Sequence, residues 1–144
     1  MENLAIVLIP LFVMGLAQLT KFIIFTFKSG GIRWNYIMTH GHMPSTHSAL
    51  ATSLVTTIGY SEGIGSGEFM IAVVLALIIL DDAVRIRMYL GDQGRFLNML
   101  TQTLNLDPKK YPRLKEHVGH RISEVVCGVL FGFIFSWLCI QLFV

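Results

Sequence analysis

The hydrophobic pattern divides the chain into three strongly apolar runs and one weaker one. Residues 3 to 27 form a single apolar stretch interrupted by Gln18, Thr20 and Lys21. This is longer than the apolar region of a cleaved signal peptide and lacks a basic start, so it predicts a retained transmembrane helix. A second run extends from Phe69 to Leu80 and on to Tyr89, and a third from Ile122 to Val144. Each reads as a further span. Residues 47 to 60 are different, being rich in Ser, Thr and Ala. They fall short of the ~20 residues a crossing needs, although the stretch Gly59 to Gly67 can extend them. Ser48, Ala49, Ala51, Thr52 and Ser53 are small enough to let neighbouring backbones come close. That suits a helix packed inside a bundle, whereas the Leu-, Val- and Phe-rich runs suit contact with lipid. The pattern therefore predicts an all-α integral membrane bundle of about four transmembrane helices, with residues 1–144 as a single membrane-embedded domain.

Composition sharpens this picture. With 53% hydrophobic and 14% charged residues and a mean hydropathy of +0.64, a soluble globular protein is excluded. The expected partners are membrane lipids, and no nucleic acid. Cys127 and Cys139 both lie in the last apolar run, where one helix cannot bridge them, so they read as reduced packing residues.

Charge adds a direction. With four crossings, all 11 basic residues fall on one side: Lys21, Lys28 and Arg33 at the end of the first helix, and Arg85 to Arg121 between the third and the fourth. The opposite side carries Glu2, Glu62 and Glu68. The positive-inside rule then puts both basic connections in the cytoplasm and predicts a protein of the cell (plasma) membrane. Attraction to anionic head groups accounts for Lys109, Lys110, Arg113 and Lys115. It does not account for Lys21, Arg87 and Arg121, which abut or enter apolar runs, where a charge needs a partner.

The pentapeptide Met43-Pro44-Ser45-Thr46-His47 stands on that same side, just before the weak helix. Pro44 lacks an N–H and Ser45 is a natural N-cap, so the N–H groups of Thr46, His47 and Ser48 are expected to face an anion such as phosphate. Pro-Ser-Thr is equally an ordinary way to begin a helix. Asp81, Asp82, Arg85 and Arg87 face His117, His120 and Glu124 across the second connection. If the last helix begins near Val118, His120 and Glu124 share a face, and the carboxylate holds one imidazole nitrogen while the other is free to attack phosphorus. Glu116, also four residues from His120, competes for that role. His47 would protonate the departing oxygen, and the cations would stabilise the transferring phosphoryl group. A metal site from His40, His42 and His47 is the weaker reading, because the spacing is unfamiliar and no Cys or carboxylate is near.

These residues together resemble the type 2 phosphatidic acid phosphatase superfamily, which includes lipid phosphatases and vanadium-dependent haloperoxidases, and within it a divergent branch of small membrane proteins. The likeness rests on Gln18-x-x-Lys21, Arg33-Trp34, Gly41 to Ala49, Asp82-Ala83 with Arg87, Gly91-Asp92-Gln93 with Leu97-Asn98, and Leu114-Lys115-Glu116-x-x-Gly119-His120 with Glu124. It implies His120 as nucleophile, His47 as general acid and Glu124 as its orienting carboxylate. It further implies a substrate site of Lys21, Arg33, Ser45, Arg87 and Asp82, with Lys28 as an alternative to Arg33. The implied activity is hydrolysis of a phosphomonoester on a lipid or isoprenoid head group through a phosphohistidine intermediate, with no metal and no cofactor. The alternative from another class is a phosphate-lipid binding protein or transporter without hydrolysis, and a vanadate-dependent halide oxidase is a third. The chain departs from the superfamily in having Thr46 where glycine is usual, a long insertion between Arg87 and His120, and about four helices in place of six. A homodimer would supply the missing walls.

Overall fold

The computed structural model describes residues 2–31, 43–116 and 121–144. Among these the chain is helical and without strands. In order, it forms α1 (Glu2–Ser29), α2 (Thr46–Ser61), α3 (Gly67–Asp81), a π-helical turn (Asp82–Ile86), α4 (Arg87–Thr103) and α5 (Ile122–Phe143). Because α3, the π-turn and α4 follow without a break, the described residues make four helical rods, and the fold is an all-α membrane bundle.

α1 has 28 residues and α5 has 22. The segments Ile6–Lys28 and Ile122–Phe143 are long and apolar enough to cross a bilayer. Pro10 lies inside α1 and removes one donor from its ladder, a loss that membrane helices tolerate. Thr20 and Thr26 in the same helix donate their hydroxyls back to Leu16 O and Phe22 O at 2.8 and 2.9 Å, so neither leaves an unsatisfied polar group in apolar surroundings. α2 and α3 are shorter, 16 and 15 residues. Gly63, at φ +82°, turns the chain between them. Ser66 then caps α3 by accepting from Phe69 N–H at 3.1 Å.

The weakest of the four apolar runs, α2, occupies the centre. α2 packs on α1, α3 and α5, and α1 also touches α5. Its buried residues are Ser48, Ala49, Ala51, Ser53 and Thr57, so the small residues do bring backbones together. The decisive partners are on α5. A Cβ on Gly128 would stand 2.5 Å from Ser45 O, and one on Gly132 would meet the Ala49 carbonyl and lie 2.9 Å from Ala49 Cα. One turn on, Ser136 Oγ donates to Ser53 Oγ at 2.6 Å in a fully buried pair. A patch of Ile9, Val13, Cys139 and Ile140, covered by Phe131 and Phe135, fills the space between α1 and α5. Cys127 and Cys139 are free thiols, as read from the sequence.

Around α2 the interior is thus built of hydroxyls and small side chains, while Phe27, Ile71, Leu77, Leu130 and Phe133 point outward. A water-soluble protein sorts its residues the other way. Beyond α3 the chain departs from expectation. The connection after Tyr89, expected as a polar loop, continues as α4 to Thr103, and only then turns back in irregular structure to Glu116.

Candidate functional site

The end of the bundle where α2 begins collects the motif residues. Ser45 is the N-cap of α2 in extended conformation, φ −69° and ψ 114°, as its sequence predicts. Its side chain is fully buried. Ser45 Oγ accepts from Ser48 Oγ at 2.9 Å and from Ser48 N–H at 3.4 Å. The Ser48 N–H, expected to face an anion, is therefore turned to the cap. Ser45 N–H donates to Glu124 O at 3.1 Å, which ties the start of α2 to the first turn of α5. The approach is possible only because Gly128 carries no side chain.

α1 closes the cluster from the other side. Thr46 Oγ1 donates to Gln18 Oε1 at 2.8 Å. Lys21, nearly one turn beyond Gln18, is only 6% exposed, and its ammonium lies within electrostatic reach of the Glu124 carboxylate. A buried ammonium in an apolar bundle is costly unless such a partner faces it. His47, on the same turn of α2, is exposed. Three helices therefore bring Gln18 and Lys21, Ser45 to His47, and Glu124 together.

Glu124 sits differently from its sequence expectation. α5 starts at Ile122, not near Val118, and Arg121 is its extended N-cap at φ −68° and ψ 148°. Glu124 is the third residue of the helix, where its carboxylate accepts from Arg121 N–H at 3.3 Å and favours the positive end of the helix dipole. The four-residue spacing to His120 does not run along one helix face, because the chain is not helical at Arg121. His120 and Arg33, with His40, His42 and His117, lie outside the described residues.

Arg87 and Asp82 form a separate pair. Arg87 Nε donates to Asp82 Oδ2 at 3.0 Å, with both side chains partly exposed. In an α-helix, residues five apart are rotated by ~140° and do not meet. Here the π-turn bonds Arg87 N–H to Asp82 O and stacks the two residues. This turn also touches α5, the helix that carries Glu124. Arg85 makes its own ion pair with Asp81 one turn away.

Sequence reasoning missed Gly128, Gly132 and Ser136, although their four-residue spacing is a legible sign of close helix packing. It also passed over the Thr46–Gln18 bond, which no local pattern announces.

A helical membrane protein with a hydroxyl-lined core and a polar cluster at one end of its bundle is the class that this fold defines. The chain belongs to the Divergent PAP2 family, whose model matches residues 2–135. It is also similar to the uncharacterized membrane protein YuiD of Bacillus subtilis (strain 168), at 30% identity over 132 residues, covering 83% of this chain and 84% of that protein. No solved structure matches the chain.

Proposed function

We propose that this protein is a membrane phosphatase, a single domain over residues 1–144, that hydrolyses a phosphomonoester on a lipid or isoprenoid head group. The observation that carries this reading is the meeting of Lys21, the Ser45–His47 turn and Glu124 at one end of the bundle. Family membership supports it.

In this reading an imidazole nitrogen of His120 attacks phosphorus, and the phosphorus–oxygen bond to the alcohol breaks. The electron pair stays on that oxygen, which takes a proton from His47. Water, deprotonated by His47, then attacks the phosphohistidine. The phosphorus–nitrogen bond breaks, inorganic phosphate leaves and neutral His120 is regenerated. Lys21, Arg87 and Arg33 hold the phosphoryl oxygens and offset their charge. Asp82 acts on substrate through Arg87, because a carboxylate facing phosphate directly would repel it. Ser45 contributes by capping the turn that carries His47, and Glu124 is the carboxylate partner of the buried Lys21 beside the site. The apolar outer surface gives a lipid tail room to lie. The positive-inside rule supports a cytoplasmic site in the plasma membrane, and a homodimer would add walls around it.

The test is phosphate release by protein purified in detergent, given lysophosphatidate, phosphatidylglycerophosphate and polyprenyl phosphates. The wild type is expected to release phosphate from at least one, His120→Ala from none, and His47→Ala ~10²- to 10⁴-fold more slowly. Retained lipid binding without release from any substrate would establish the binding protein instead.

A further inference from the structure

Two consecutive residues at the head of α2 are tied to two different helices. Ser45 N–H donates to Glu124 O on α5 at 3.1 Å. Thr46 Oγ1 donates to Gln18 Oε1 on α1 at 2.8 Å, across 28 residues of chain. A threonine inside a helix ordinarily turns its hydroxyl back to its own backbone. Thr56 and Thr57, further along α2, do so by donating to Thr52 O and Ser53 O at 2.8 and 3.0 Å. Thr46 begins the helix, so no helical carbonyl lies one turn before it, and its hydroxyl reaches across to α1 instead.

The two ends of this bond sit beside the groups that the phosphate chemistry uses. Gln18 and Lys21 are three residues apart in a continuous helix and are neighbours on its surface. Thr46 directly precedes His47, whose side chain is exposed while Lys21 is buried. A displacement of Gln18 relative to Thr46 is therefore a displacement of the Lys21 turn relative to the His47 turn. The inward residues of α1 before Gln18 are apolar, with Val13 and Ala17 fully buried. Apolar contact is non-directional and resists separation better than sliding. A hydrogen bond fixes both distance and direction, and a glycine at position 46 has no side chain to make one.

We propose that Gln18 and Thr46 are positioning residues for the phosphate chemistry, together forming a strut that sets the Lys21 turn of α1 against the His47 turn of α2. This rests on the phosphatase reading given above. It also gives Thr46 a use at a position where the superfamily usually has glycine: its hydroxyl holds the head of α2 to α1, while Ser45 holds the same turn to α5.

The test uses the full chain in detergent and compares wild type, Thr46→Val, Thr46→Ser, Gln18→Met and the double variant Thr46→Val/Gln18→Met. Thr46→Val keeps the branched shape and removes the donor, and Gln18→Met keeps the length and removes the acceptor. Phosphate release, hydrogen-exchange protection at residues 45 to 49, and carbethoxylation of His47 by diethylpyrocarbonate are read in parallel. Each of the first two losses is expected to lower kcat on the order of 10²-fold, the cost of misplacing a reacting group by about an ångström. KM should move less, since Lys21 itself is untouched. The double variant falls no further than either single one, because the strut is lost only once. Protection should drop and the His47 modification rate change in all three, while α3 and α4 exchange as before. Thr46→Ser, which restores the hydroxyl, should match wild type in every measurement. Wild-type protection or wild-type His47 modification in Thr46→Val overturns the proposal, as does an unchanged kcat in an active protein. Effects that add in the double variant overturn it too, and so does a Thr46→Ser variant as impaired as Thr46→Val. If the wild type releases no phosphate, the phosphatase reading fails alone, and the protection and modification results still decide whether the strut positions His47.

Discussion

The α2–α5 seam and the clamp of α4 on the returning chain at Leu114–Glu116 both rely on a glycine that admits a neighbouring backbone, yet they hold the chain in opposite ways. In the seam, Gly128 and Gly132 press one helix onto another and bury Ser45, Ser48 and Ser53 completely. In the clamp, Gly94 makes room for a single irregular segment, and the side-chain amide of Asn98 supplies the bonds. The seam joins two long elements, so loosening it loosens the bundle. The clamp joins a helix to a short return, so loosening it frees only that return. One region holds the polar cluster at the end of the bundle, the other holds the return from α4.

Gly132→Val tests the first half of this contrast and should have the largest effect. A side chain there meets main-chain atoms of Ala49, which cannot rotate away. A loss of about 3 kcal/mol, at the upper end of overpacking costs, is expected. Thermal unfolding in detergent measures it, and a midpoint equal to wild type would mean the seam bears little of the stability. Ser136→Ala comes next, at about 1 kcal/mol, because it strips the buried Ser53 hydroxyl of its partner.

Gly94→Ala probes the other region and should separate from both. Alanine favours the helix by up to ~1 kcal/mol, while its methyl displaces Lys115 O from 2.6 Å. The expected outcome is a nearly unchanged unfolding midpoint with faster exchange at Leu114. A large fall in the midpoint would make the clamp a second seam. The smallest effect is that of acid. The Asn98 amide first, and Arg113 with it, holds the Glu116 carboxyl below its ordinary value of 4.5, and the Arg95 charge adds to the same direction. A depressed carboxyl stabilises the folded form above its ordinary pKa and loses that contribution as pH falls through the lower value. Protection factors at residues 113 to 116, taken against the intrinsic exchange rate at each pH, should therefore be high at neutral pH and fall in acid below 4.5, and Glu116→Gln should abolish the change.

The helices themselves were legible from hydrophobic runs, and the start of α2 from Pro44 and Ser45, since these signals are local. The start of α5 was misplaced because a favourable His120–Glu124 spacing argued for more helix than Arg121 permits. Its extended backbone lets the Glu124 carboxylate cap the helix instead. α4 was hidden for another reason. Its sequence has no continuous apolar run, so a search for apolar spans passes over it, although Tyr89, Phe96 and Leu100 recur at helical intervals along one face. Asp82 and Arg87 were both identified, but their pairing depends on the π-turn, which a pattern based on 3.6 residues per turn does not anticipate.

By itself the sequence determined that this protein is an all-α membrane bundle with a polar motif opening a helix rich in small residues, because hydropathy, caps and breakers act over a few residues. Only the tertiary structure decided that this helix lies at the centre, that Gln18 meets Thr46 and Lys21 meets the field of Glu124, and that Asn98 fastens the return from α4. Those contacts join residues far apart in the chain, and their geometry is set by how closely helices can approach, which the glycines and serines of α2, α4 and α5 allow.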